Sequence, residues 1–161
     1  LYNNVYGIRS CALRLTNTYG PRMRVKDARQ TFVGLWIRQA IEGKDIEVWG
    51  GEQLRDFTYI DDCVNAILQV VVNEKSYGKF YNLGGCEVIS LKELAEIFVG
   101  IGGARYVVKE FPEERKKIDI GDYYSDFSLI TSEIGWKPQT NIKDGLKNTV
   151  EYYRKYIREY I

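Results

Sequence analysis

Leu13-Arg14-Leu15-Thr16-Asn17-Thr18-Tyr19-Gly20-Pro21-Arg22, taken together with Gly50-Gly51-Glu52-Gln53-Leu54-Arg55-Asp56-Phe57, is the part of the sequence on which the fold reading turns. The first stretch is an apolar strand running into a polar turn. Asn17 stands where that strand is expected to stop, and Gly20-Pro21 punctuates the exit. The second is a glycine-rich turn that delivers a lone arginine, Arg55, into a new apolar stretch. A planar guanidinium suits the clamping of phosphate or carboxylate oxygens. On composition alone, the pair also reads as a strand end and a surface turn.

The chain has 161 residues, one domain's worth and enough for a hydrophobic core. Hydrophobic residues at 45% and charged residues at 28% place it among soluble globular proteins. A formal charge of +1 points to no polyanionic partner, so neither nucleic acid nor a membrane surface is expected. No apolar run approaches the roughly 20 residues of a membrane span, and the first residues lack a signal-peptide pattern. Cys11, Cys63 and Cys86 are odd in number and widely spaced, which argues against a disulfide framework or a zinc site and for a reducing cytoplasm. Histidine is absent, which excludes Ser-His-Asp triads, Cys-His dyads and histidine metal ligands. Any catalysis has to use Tyr, Lys, Asp, Glu, Cys or a bound cofactor.

Taken in order, Leu1 to Gly7 reads as the tail of a helix, with Tyr2 and Tyr6 on one face and Gly7 as terminator. Ser10 to Leu15 reads as a buried strand, and Thr16 to Asp27 as a polar connection carrying Arg22, Arg24 and Lys26. Asp27 is expected to cap a helix over Ala28 to Glu42, closed by Gly43, with Phe32, Leu35, Trp36, Gln39 and Ala40 on its packed face. The basic loop ahead of it is either a phosphate receiver or a solvated face. Ile46 to Trp49 and Asp56 to Ile60 read as strands. Asp61-Asp62 is expected to cap a helix that packs through Val64, Ile67, Leu68 and Val71.

Phe80 to Leu83 is the next strand, and Ser90-Leu91-Lys92-Glu93 is a capping box opening a helix through Val99. Gly100, Gly102 and Gly103 follow a helix rather than a strand, so they read as a helix stop and not as a dinucleotide loop. After a strand at Tyr106 to Lys109 comes a charged, irregular loop from Glu110 to Asp126. A short helix, Phe127 to Ile134, then precedes Gly135-Trp136-Lys137-Pro138. The last helix runs from Ile142 to about Tyr160 behind Asn141 and Asp144.

These residues carry a resemblance to the C-terminal half of the extended short-chain dehydrogenase/reductase family, which holds nucleotide-sugar epimerases, 4,6-dehydratases and decarboxylases. The matching pieces are Arg14 through Arg22, Glu42-Gly43-Lys44, Val48-Trp49-Gly50 and Arg55-Asp56-Phe57-Thr58-Tyr59-Ile60-Asp61-Asp62. Tyr81-Asn82-Leu83-Gly84-Gly85, the helix from Ser90 and the stretch from Leu129 through Pro138 complete the set. They stand in the family's order over nearly the whole chain.

The resemblance implies an α/β fold: the substrate-binding part of an extended Rossmann-type enzyme, a small mixed sheet with helices. Residues 1–20 would end the Rossmann part, 21–161 would bind the nucleotide sugar, and NAD would be held mainly by an N-terminal part outside this sequence. Carried over, Asn17 and Arg55 would hold the diphosphate of a UDP- or dTDP-linked sugar. Phe32 and Trp49 match positions near the base, although for Trp49 core packing is an equal alternative. In the charged loop, the family's arginine and acidic residue fall on Arg115 and Asp119, with one residue too many between them. Asp122 is the alternative partner for the ribose hydroxyls.

The family's catalytic Tyr-x-x-x-Lys has no counterpart, because none of the 13 tyrosines has a lysine four residues later. The catalytic Ser/Thr is missing as well. The resemblance places that pair about three turns upstream on the helix ending at Gly7. The expectation is therefore a fragment of an NAD-dependent enzyme with no catalytic residue and no metal site of its own. It would be inactive alone, and its parent would be a homodimer. A non-catalytic binding or scaffold homologue of the same fold is the rival reading.

Overall fold

The computed structural model describes residues 2–29, 31–116 and 119–161, and at Arg115 the backbone alone. The first helix, α1 (Tyr2–Tyr6), ends at Gly7 with φ 64°. Strand β1 (Ala12–Arg14) pairs in parallel with β5 (Phe80–Asn82). Strand β2 (Asn17–Tyr19) pairs in parallel with β4 (Leu54–Tyr59), whose other edge takes β6 (Val88–Ser90) antiparallel. Strand β3 (Ile46–Trp49) pairs in parallel with β7 (Tyr106–Lys109). The helices are α2 (Phe32–Glu42), α3 (Ile60–Val72), α4 (Leu91–Gly102), α5 (Glu113–Lys116), α6 (Ser128–Ile134) and α7 (Ile142–Tyr156).

Two apolar clusters hold these pieces. The larger packs α2, α4 and α7 onto β3 and β4 through Trp36, Ile37, Phe57, Phe98, Leu146 and Tyr153. The smaller gathers Cys63, Ala66 and Val70 of α3 with Tyr81, Ile130 and Trp136. The indole of Trp136 is also tied inside, donating to the Asp62 carbonyl at 3.0 Å. Several helix ends follow from local chemistry. Ser90 and Glu93 form the expected capping box, and Gly43, Gly103 and Gly135 close α2, α4 and α6 in the left-handed conformation. Asn141 caps α7 by accepting from the Asp144 N–H at 2.9 Å.

Five expectations need correction. The helix expected from Ala28 begins at Phe32, capped by Thr31, because Asp27 is taken by Arg24 at 2.8 Å and by the Arg29 N–H at 3.1 Å. The strand expected over Ser10–Leu15 covers Ala12–Arg14 and is largely exposed, since β5 is its one partner among the described strands. Arg55 lies inside β4 rather than on the turn before it. Asp61 and Asp62 occupy the first turn of α3 without capping it, and the Asp62 carboxylate instead accepts from the Thr140 N–H at 2.9 Å. The face of α3 expected to pack is the exposed one: Val64, Ile67, Leu68 and Val71 face out, and Val72 is 82% exposed. The small residues Cys63 and Ala66 take the inner face, where the helix lies close against its neighbours.

Gly34 fixes how α2 sits on the loop before it. A Cβ there would overlap the Arg24 carbonyl oxygen, so only glycine permits this approach. Gly34→Ala is expected to destabilise the chain by about 1–3 kcal/mol, the usual range for forced overpacking, as read by urea unfolding. A variant as stable as the parent would show that α2 does not sit there.

Candidate functional site

Strand β4 builds the site. Its side chains alternate between faces, so Arg55 and Asp56 point to opposite sides. Arg55 is 8% exposed, with its guanidinium arranged on the loop that follows α5. Its Nη1 donates to the Leu54 carbonyl at 2.8 Å and to the Gly121 carbonyl, while Nη2 lies 3.7 Å from Asp119 Oδ1. That last separation is long for an ion pair, so the positive charge is only loosely answered.

The loop is laced to the strand edge beside it. Asp122 accepts from the Leu54 N–H at 2.9 Å, and the Tyr123 N–H donates to the Leu54 carbonyl at 3.0 Å.

Asp56 is 1% exposed. Its Oδ2 accepts from the Ser125 and Gly85 N–H groups at 3.2 and 3.3 Å, whereas Oδ1 is buried without a partner. Burial pushes its carboxyl above the ordinary carboxylate range, opposed by those two backbone donors. The Asp56 carbonyl accepts from Asn17 Nδ2 at 3.1 Å, which ties the start of β2 to β4.

On the Arg55 side the chain encloses a cleft of about 320 Å³. One wall is α2, through Phe32, Trp36 and Gln39, and the facing wall is Trp49 of β3 with Phe111. Phe32 meets Trp36 edge to face at 5.0 Å between centroids, and Trp49 meets Phe111 at 6.2 Å. Gln53 braces the turn that aims Arg55: its Oε1 accepts from the Gly51 N–H at 2.9 Å, and its Nε2 donates to the Trp49 carbonyl at 3.2 Å. Arg55 and Asp119 form the charged end.

Of the six residues singled out in the sequence, Phe32, Trp49, Arg55 and Asp119 share this cleft. Asn17 opens instead onto a separate groove with Thr16, Met23 and Thr31. Arg115 belongs to α5, and its side chain lies outside the described residues. Asp119 is on the cleft, while Asp122 is occupied by the strand edge. Gln39, Gln53 and Phe111 were not singled out as binding residues. The signal for Gln39 is its place seven residues after Phe32, on the same helix face, a spacing that sequence reasoning assigned to packing. Among the described residues, no group of three His, Cys, Asp or Glu could hold a metal ion. No described helix is long and apolar enough to cross a membrane.

Comparison with known proteins agrees with this architecture. The GDP-mannose 3,5-epimerase 1 of Oryza sativa subsp. indica is 30% identical over 160 residues, 98% of this chain and 41% of that protein. UDP-glucose 4-epimerase of Thermotoga maritima, solved with UDP-glucose, superimposes with a TM-score of 0.85 at 27% identity, over 97% of this chain and 49% of the other. The dTDP-glucose 4,6-dehydratase DesIV of Streptomyces venezuelae, solved with NAD and TYD bound, gives 0.82 at 25% identity, over 99% and 48%. This chain thus spans about half the length of the relatives it matches.

The fold is that of about half of an extended Rossmann-type short-chain dehydrogenase/reductase, mixed α/β with small sheets and helices. The family model for the NAD dependent epimerase/dehydratase family matches residues 1–84, more than half of the chain, and the chain belongs to that family.

Asp56 supplies a pH test. Its folded-state pKa is raised, so the folded chain binds the proton more tightly than the unfolded one, and the stability this contributes is full below the ordinary value of 3.8. It is lost as pH rises through the folded value. Asp56→Asn does not titrate, so unfolding free energies should show the variant gaining on the parent as pH rises from about 3 to 7. A pH-independent difference would mean that the Ser125 and Gly85 donors offset the burial completely.

Proposed function

We propose that the chain is the nucleotide-sugar-binding half of an NAD-dependent epimerase, dehydratase or decarboxylase. The observation that carries this reading is the convergence of Arg55, Asp119, Phe32 and Trp49 on one cleft, from positions spread over nearly 90 residues of sequence. The loosely answered guanidinium is suited to a diphosphate. Asp119 is an acceptor for the vicinal hydroxyls of a ribose, and the aromatic walls take the faces of a planar base. UDP- and dTDP-linked sugars fit this set of groups. Asn17, bonded to the Asp56 carbonyl next to Arg55, would meet the diphosphate from the β2 side.

Relatives of about twice this length supply the context. In such a protein, the exposed outer face of α3 and the open edge of β1 would be covered by the other half. The glycines of this chain that come nearest to a dinucleotide loop, Gly100, Gly102 and Gly103, instead end α4. On this reading NAD is held mainly by the other half, and no hydride step is assigned to this chain. What this chain contributes is binding and orientation of the substrate. The free thiols of Cys11, Cys63 and Cys86 suit a reducing cytoplasm.

Calorimetric titration of UDP into the 161-residue chain tests the reading. Binding is expected, and Arg55→Ala should weaken it by about tenfold to a hundredfold, the range for a lost charge-assisted contact. Binding that is absent, or indifferent to Arg55, would overturn it. The chain supplied with NAD and UDP-sugars should show no epimerised, dehydrated or decarboxylated product by chromatography. Turnover there would place the catalytic groups within these residues.

A further inference from the structure

The two ends of the cleft stand on strands that do not pair with each other. Trp49 ends β3, whose ladder partner is β7, and Arg55 lies in β4, whose partners are β2 and β6. Among the described strands, no ladder fixes the distance from the aromatic wall to the guanidinium. The chain itself crosses that gap, in the corner from Gly50 to Gln53.

A corner that opens on two glycines is loose unless something holds it. Gly50 and Gly51 take φ of 72° and 101°, a path that other residues rarely follow. Gln53 closes the corner from inside. Its Oε1 accepts from the Gly51 N–H at 2.9 Å while its Nε2 donates to the Trp49 carbonyl at 3.2 Å, so one amide grips the corner at its entry and at its bend. Helix α4 grips it from below: its first N–H groups, of Leu91 and Lys92, donate to the Gln53 and Gly51 carbonyls at 3.2 and 3.0 Å. The Gly50 N–H donates to the Lys109 carbonyl of β7 at 3.0 Å.

Each end of the cleft also has its own support. The Leu54 and Gly121 carbonyls hold Arg55, and the pairing with β7 and the edge of Phe111 hold Trp49. None of these contacts passes through Gln53. What Gln53 fixes is the span between the two ends.

Resting on the reading of this cleft as a nucleotide site, we infer that Gln53 is a positioning residue, which sets the span from the base wall at Trp49 to the phosphate clamp at Arg55. A fixed span matters only to a ligand whose two ends are joined. For such a ligand the second contact is intramolecular, and its advantage falls when the corner regains its freedom. A free nucleoside or a free diphosphate meets one end alone and is indifferent to the span.

The test is calorimetry and NMR shift titration of the 161-residue chain with UDP, uridine and inorganic pyrophosphate. Gln53→Met keeps the length of the side chain and removes both hydrogen bonds. It is expected to weaken UDP by about tenfold and to leave uridine and pyrophosphate within about twofold of the parent. A residue touching the base would move uridine, one touching the phosphates would move pyrophosphate, and a general loss of structure would move all three. Gln53→Asn, one methylene shorter, cannot grip both partners and should show the same split. It carries the test if Gln53→Met fails to fold by circular dichroism.

If Gln53→Met binds UDP as the parent does, or loses either fragment as much as it loses UDP, Gln53 does not set the span. The same follows if neither variant folds, or if the parent binds UDP and neither fragment. If the parent binds no UDP at all, the nucleotide reading of the cleft falls first and this inference falls with it.

Discussion

A carboxylate taken almost wholly out of water, that of Asp56, is the constraint on which the site depends. Such a group is costly to bury unless backbone donors surround it, and here they come from Gly85 after β5 and Ser125 at the end of the charged loop. The same residue's carbonyl receives Asn17 at the start of β2. Three segments distant in sequence are thus fastened at one residue of β4. Because a strand alternates its faces, placing Asp56 at that junction turns Arg55 to the other side, into the cleft. Gly85 makes the fastening possible, since a Cβ there would overlap the Phe57 backbone. The charged end of the cleft follows from how its neighbour is buried.

The parts of the fold that were legible in the sequence are those governed by local chemistry. The Ser90–Glu93 box, the Asn141 cap and the glycines after α2 and α6 need only a few adjacent residues to declare themselves. Strands β2 and β6 were not legible. Each has three residues, and each exists because β4 lies beside it. Asp27 and Thr31 are both good capping types, and an ion pair to Arg24 removes Asp27 from the contest. Helix α3 is apolar on more than one face, so periodicity cannot say which face packs. The close approach of its neighbours selects the small side chains of Cys63 and Ala66.

The site divides in the same way. Arg55, Asp119, Phe32 and Trp49 were marked by the order of motifs along the chain, and they meet in one cleft. Gln53 stands just after a glycine pair, where an amide reads as part of a surface turn. What distinguishes it is that both ends of its amide return to the Gly51 and Trp49 backbone, a three-dimensional fact that no spacing rule encodes. The choice between Asp119 and Asp122 likewise needed coordinates, because the Leu54 N–H engages Asp122 and leaves Asp119 on the cleft.

The loop bearing Asp119 is joined to β4 at three successive residues: at Leu54 and Arg55 through Asp122, the Tyr123 N–H and the Gly121 carbonyl, and at Asp56 through the Ser125 N–H. The α2 and β3 walls, by contrast, are anchored in the larger core. Local opening favours segments with few ties, so this strap opens before either wall moves. One opening event removes Asp119 from the cleft and strips Arg55 of its Gly121 support together. The Tyr123 N–H is one of the bonds broken in that event, so its deuterium exchange rate reports how often the strap lifts from Leu54.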